Sequence, residues 1–346
     1  IQPLALRARA GECLVLTFTN RLDDGEAALP VHGLAHTGAD HGGAVGENPA
    51  SYVPPGGSIT TRIAIPADPS AEGAYYFHDH GDSRQRVAHG LFGAVIVEPA
   101  GATWRDPETG EPSDGTNWEA IIQVPGEPDF REFVLFYHEV GDEDFTGIVD
   151  AAGAELPQVD DLSGVYRPAG RALNYRSEPF MRRLEIEPDK SHGYGSYMFG
   201  DPATPIPRSY LKEPTKTRLL HGGSEVFHVH HLHGGGDRWR RNPDADPNHT
   251  IAGGLDKKPA DELFSVQLDS QTIGPGNAYD LEHECGAGGC QQAAGDFLYH
   301  CHIGHHYVAG MWSFWRVFDT EQPDLATLPD MAPPPVGVPS TGLVGL

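Results

Sequence analysis

Apolar and polar positions alternate with a period of two along much of the first hundred residues, the pattern of half-buried strands. Residues 4–9 alternate loosely, Gly11 and Glu12 make a turn, and residues 13–20 alternate again with Leu14, Leu16 and Phe18 on one face. The run Val53-Pro54-Pro55-Gly56-Gly57 reads as a turn, and residues 58–65, 74–80 and 91–97 read as further strands. Short strands at this spacing predict a β-sandwich or barrel. Residues 99–128, rich in Pro, Gly and Asp, read as a linker, and residues 131–140 (REFVLFYHEV) open a second β unit. Residues 141–217 are irregular, with many Gly and Pro, and read as an insertion. Strands resume at 218–220, 227–233, 263–268, 297–302 and 311–318, and from Asp319 onward the chain reads as extended or disordered. The expected map is all-β: a first domain over 1–125, a second over 126–322 that carries the insertion, and a tail over 323–346.

Composition narrows the function. A length of 346 residues fits about two domains. The 43 Gly and 30 Pro argue against a helical bundle. No apolar stretch approaches the ~20 residues a membrane helix needs, so no membrane partner is expected. A net charge of −25 repels a phosphate backbone, which excludes nucleic acid as a partner. The same charge steers cationic reductants toward the surface.

The 19 histidines change the picture, because most fall in four clusters. These are His32-Gly33 with His36 and His41; His78-Asp79-His80; His228, His230, His231 and His233; and His300-Cys301-His302 with His306 and Met311. Residues two apart on a strand share a face. His78 pairs with His80, His231 with His233, and His300 with His302, whereas His228 and Cys301 point the other way. Two metal sites follow, with one strand passing between them. Cys301, His228, His306 and Met311 form a His₂Cys set with a weak axial Met, the ligand set of a blue copper centre. The other set is imidazole only: His78, His80, His231, His233, His300 and His302, with His32. Such a set suits a cluster of copper ions.

On these motifs the chain resembles the multicopper oxidase family. H-C-H-x₃-H-x₄-M at 300–311, H-x₂-H-x-H at 228–233 and H-x-H at 78–80 match the family in order. The resemblance implies two cupredoxin-like Greek-key domains, with copper as cofactor. It implies type 1 copper on His228, Cys301, His306 and Met311, type 2 copper on His231, and a type 3 pair on His32, His78, His80, His233, His300 and His302. It also implies one-electron oxidation of a phenolic, aromatic or metal-ion donor coupled to reduction of O₂ to water, in a secreted or extracytoplasmic setting. One position departs: the family motif H-x-H-G reads Pro30-Val31-His32-Gly33 here. His36, His41 or a partner chain supplies the missing type 2 ligand, or that copper is weak or absent. Two domains with type 1 ligands in the second resemble the bacterial two-domain laccases, homotrimers that build their trinuclear cluster between subunits. Residues 310–317 and the insertion resemble larger bacterial members, manganese-oxidising ones among them. A Mn(II) or Cu(I) oxidase, and an electron-transfer protein with an incomplete cluster, are the alternatives. Copper nitrite reductases resemble the chain less, because their type 1 ligands lie in the first domain and their Cys lacks the second flanking His.

Outside the clusters the expectations are plainer. His89, His138, His192, His221, His249 and His283 read as structural, and His230 as no metal ligand. Asp79 is expected beside the cluster, orienting a His or delivering protons, as catalytic support for Cys301, His300 and His302. Asp40 and Glu47 are further relay candidates. Cys13 reads as a small buried residue. Cys285 and Cys290 bracket Gly-Ala-Gly-Gly and are spaced for a local disulfide, whereas a zinc site would need a second such pair.

Overall fold

The computed structural model describes residues 2–34, 42–48, 51–140, 159–160, 165–166, 170–186, 188–234, 239–241 and 269–337. At 83–84, 159–160, 165–166, 190 and 239–241 the backbone alone is described. His36, His41, Asp40, His249, the expected strand at 263–268 and much of the expected insertion lie outside these residues.

The first domain holds β1 (Leu4–Arg9), β2 (Cys13–Thr19), β3 (Ser58–Ala64), β4 (Gly73–His78), the helix α1 (Ser83–Ala88) and β5 (Phe92–Glu98). Strands β1, β5 and β4 form one sheet, and β2 pairs with β3 in another. The alternation read from the sequence is why these strands bury one face: Ile63, Phe77, Val95 and Val97 meet in a core with Leu14 and Leu16 packed against it.

The second part of the chain adds β6 (Thr103–Arg105), β7 (Glu119–Gln123), β8 (Phe130–Val140), β9 (Val159–Asp160), β10 (Val165–Tyr166), β11 (Gly170–Leu173), α2 (Phe180–Leu184), α3 (Ser196–Phe199) and β12 (Arg208–Tyr210). It continues with β13 (Thr215–His221), β14 (His228–Leu232), β15 (Trp239–Arg241), β16 (Ser270–Ile273), β17 (Ala278–His283), β18 (Gly295–Cys301), α4 (Gly304–Val308) and β19 (Trp312–Phe318). One sheet runs β15-β17-β13-β8-β7-β6, with β11 also on β8, and the other runs β12-β19-β18-β14-β16. The parallel pairs β1–β5, β8–β13 and β12–β19 need crossover connections, not hairpins. The architecture is all-β, two cupredoxin-like domains.

Strand β8 explains how the domains join. Ten of its eleven residues are buried, because its two faces serve two cores. Phe133, Leu135 and Tyr137 pack with Leu219, Tyr299, Cys301 and Met311 inside the second domain. Val134 and Phe136 face the first domain, against Tyr76, Phe92, Ala94 and Ile96. Burying each such side chain contributes roughly 1.5–3 kcal/mol. Buried ionisable side chains cross the same joint: Arg7 lies 2.8 Å from Glu132, and Arg218 lies 2.7 Å from Glu132 and 3.2 Å from Glu98.

Several expectations need correcting. The segment 99–128 is not only a linker, since β6 and β7 extend the sheet of β8, with Ile121 and Ile122 fully buried. On this pairing we propose that the domains divide near Glu98 and not at residue 125. Within the expected insertion, β11 and β12 join the two sheets of the second domain. The described residues of the tail form no helix or strand but are docked through buried Leu325 and Leu328, with Arg131 donating to the Ala326 carbonyl at 2.6 Å. Cys13 is exposed, because inward-facing Leu14 and Leu16 turn it outward. Cys285 and Cys290 form a disulfide across a turn in which Gly286, Gly288 and Gly289 all have positive φ.

Candidate metal centres

Three of the residues expected at the thiolate site come together. His228 on β14, Cys301 at the end of β18 and His306 on α4 are all buried. Nδ1 of His228 lies 3.1 Å from Nδ1 of His306, and these atoms lie 4.0 and 3.4 Å from Cys301 Sγ. Three donors around one ion stand about this far apart when their bonds are about 2.0–2.3 Å. Met311 is fully buried in the same core as Cys301. The loop folds back on itself, since the Met311 N–H donates to the His306 carbonyl and the Cys301 N–H to the Met311 carbonyl. Gly310 allows this turn: its φ is 117°, and a Cβ there would lie 2.7 Å from the Glu178 amide nitrogen.

Electrostatics suit a soft metal ion. Burial pushes the Cys301 thiol up to about 11, with the Val229 N–H, which donates to Sγ at 3.3 Å, opposing that rise. A coordinating ion deprotonates such a thiol outright. Burial lowers His228 to about 4 and His306 to about 2, so both rings are neutral and offer a lone pair.

The imidazole-only set forms two groups. His32, His78 and His80 of the first domain place ligand atoms within 4.8 Å of one another, as do His231, His233 and His300 of the second. Nε2 of His32 is 3.4 Å from Nε2 of His80, and Nε2 of His233 is 3.0 Å from Nε2 of His300. The His302 ring stands 4.9 Å from that of His231. Nδ1 of His78 lies 2.9 Å from the Asp79 carbonyl and Nδ1 of His300 lies 2.8 Å from the Cys301 carbonyl. A ring whose Nδ1–H is held by a carbonyl presents Nε2 as its ligand atom. The thiolate site therefore uses Nδ1 and these two rings use Nε2. Among the described residues no such group combines histidines of both domains. Pro30 packs against Gly42 in place of the family's His.

Asp79 sits between two of these histidines but bonds elsewhere. It accepts from the Ala28 and Asp82 amides at 2.9 Å each and from Arg86 at 3.2 Å. Burial opposes its ionisation, and these amide bonds outweigh it, so its carboxyl lies below the usual range. It ties the His78–His80 loop to the segment leading to His32. His230 is buried and its Nδ1 lies 2.7 Å from the Tyr137 hydroxyl.

Glu139 was missed by sequence reasoning. Its Oε1 lies 3.3 Å from Nε2 of His228, and it accepts from the Ser224 and Val226 amides. Burial opposes its ionisation, but His228, His221 and the hydrogen bonds hold its carboxyl down near about 2. His221 stacks on His228 at 4.8 Å. The one sequence signal was an acid at the end of an apolar strand.

Comparison with known proteins gives the class. The multicopper oxidase family model matches residues 3–102, ending just before β6, so the resemblance read from the motifs is borne out there. A curated protein of Kuenenia stuttgartiensis, a probable nitrite reductase–hydroxylamine oxidoreductase fusion protein, is 26% identical over 317 residues. That alignment covers 90% of this chain but only 27% of the fusion protein's length. The copper nitrite reductase of Nitrosomonas europaea superposes with a TM-score of 0.56 at 14% identity, covering 94% of this chain and 86% of that one. The blue copper oxidase of the same organism gives 0.51 at 15% identity, covering 91% and 77%. At such identities the likeness concerns the fold alone. Fold, family match and donor sets together support a copper-dependent redox function.

Proposed function

We infer that the protein is a laccase-like oxidase that couples one-electron oxidation of a phenolic, aromatic or metal-ion donor to reduction of O₂ to water. The observation that carries this reading is the His300-Cys301-His302 tripeptide. Its cysteine belongs to the thiolate site, and its two histidines stand beside His231 on the other face. Bound copper would supply one-electron exchange with the donor at the thiolate site and O₂ reduction at the imidazole site. His228, Cys301, His306 and Met311 would hold type 1 copper, His231 type 2, and His32, His78, His80, His233, His300 and His302 the type 3 pair.

The chain's own residues have definite tasks. Burial of Cys301 excludes water from its sulfur, and the Val229 amide draws charge from it. Glu139 and the backbone carbonyls fix which nitrogen each ring presents. The peptide bonds from Cys301 to its neighbours give a covalent path between the sites.

The separation of the two imidazole groups, with His233 and His302 exposed, supports completion of the cluster by a second copy, as in a homotrimer. The disulfide supports an extracytoplasmic setting.

A nitrite reductase is the second reading, favoured by the names of the curated relative and of one structural neighbour. His302 beside Cys301, with the thiolate site in the second domain, favours O₂. The test is consumption of O₂ and of nitrite by the copper-loaded protein, with a phenol, Mn(II) or Cu(I) as donor. We expect donor-dependent O₂ uptake without nitrite loss; nitrite loss without O₂ uptake would overturn the reading.

A further inference from the structure

A cavity of about 1130 Å³ opens at the joint between the domains. Small-molecule sites occupy about 300–1,000 Å³, mostly apolar with a few convergent polar groups. Its walls include Phe18, Phe77, Phe92 and Tyr175, four aromatic rings from both domains. Leu4 and Leu91, 44% and 40% exposed, also line it, so apolar surface there is left uncovered by the chain's own core.

Charge at the cavity is selective. Asp79 is already taken up by two amides and Arg86. Arg21 and Arg176 line the cavity and are exposed, and neither has a carboxylate partner among the described residues. In a chain of net charge −25, two exposed arginines, one from each domain, thus stand at the rim of an apolar cavity. A guanidinium binds a carboxylate in a fork and stacks on an aromatic ring.

We propose that this cavity binds an aromatic carboxylate, its ring among the aromatic walls and its carboxylate on Arg21 and Arg176. His138 lines the cavity too, so the occupant rests beside the neighbour of Glu139, the residue that holds His228. None of the lining residues is a candidate metal ligand, although Asp79 lies between two of them, and the site does not depend on which acceptor the copper centres use.

The test is calorimetric titration of the full, copper-loaded chain with 2-naphthoate, which is not an electron donor under these conditions, and with its neutral isostere 2-naphthamide. The site predicts saturable one-to-one binding of 2-naphthoate, about tenfold or more tighter than the amide. Arg21→Gln combined with Arg176→Gln removes that preference, and because both side chains are exposed the fold is kept, checked by thermal unfolding. Leu91→Trp, which fills part of the cavity, weakens both ligands. Absence of saturable binding, equal affinity for acid and amide, or a preference that survives the double substitution would each overturn the proposal.

Discussion

Glu139 Oε1 lies 3.3 Å from Nε2 of His228, while Nδ1 of the same ring faces Cys301 Sγ. The carboxylate thus takes the far edge of a candidate ligand ring and fixes its tautomer. It also adds negative charge to the imidazole, which would favour the oxidised form of a bound metal ion.

Glu139→Gln keeps the shape and removes the charge. We expect the blue absorption to persist, metal affinity to fall by about tenfold or more, and the reduction potential of the thiolate site to rise. An unchanged or lowered potential in a redox titration would show that Glu139 does not act through His228.

Met311 is the proposed weak sulfur ligand, by sequence spacing and by its burial in the core of Cys301. Met311→Leu removes a weak sulfur donor and should raise the potential while leaving the colour. A potential that stays put or falls would remove Met311 from the ligand set.

Glu98 makes the joint between the domains pH-sensitive. Burial pushes its carboxyl up from 4.5 to about 8, and Glu132 and Glu72 add to the rise while Arg218 and Arg7 oppose it. Between those values the folded chain keeps a proton that the unfolded chain has released. This contribution to stability is therefore present at low pH and is lost as pH rises through the window. Urea unfolding from about pH 5 to about pH 8 should show a decline that Glu98→Gln flattens; an identical slope in the variant would contradict this role.

The docked tail depends on a buried pair. Arg131 binds Glu213 through two hydrogen bonds of 2.7 and 3.0 Å and also holds the Ala326 carbonyl. Glu213→Ala leaves Arg131 buried without its carboxylate and should destabilise the chain by about 3–5 kcal/mol. A loss below about 1 kcal/mol in denaturant unfolding would mean the pair is not strained by removal of its partner.

The candidate ligands His78, His228, His231, His300 and Cys301 were legible because they lie on strands. Period two holds through β14 and β18, so His228, His230, His231 and Cys301 take the faces that counting assigns them. Glu139 was not legible, because β8 and β14 are brought together only by the folded sandwich. The strands β6 and β7 were hidden for a related reason. The core of β7, Glu119-Ala120-Ile121-Ile122, is buried on both faces, so it shows no alternation and disappears among the surrounding Pro, Gly and Asp. The tail misled in the same way: Leu325 and Leu328 are isolated apolar residues whose burial depends on Tyr210 and Arg131, far away in sequence. Cys13 is the opposite case, where parity with Leu14 already pointed outward.

Cys301 is proposed to belong to one copper site and its flanking histidines to another. Elemental analysis of copper per chain, with the visible and electron paramagnetic resonance spectra, tests it on the copper-saturated protein and on Cys301→Ser. The account predicts more than one copper per chain in the native protein. In the variant, the intense blue absorption vanishes and copper remains at the imidazole groups. A single copper per chain, or a blue colour that survives Cys301→Ser, would contradict it.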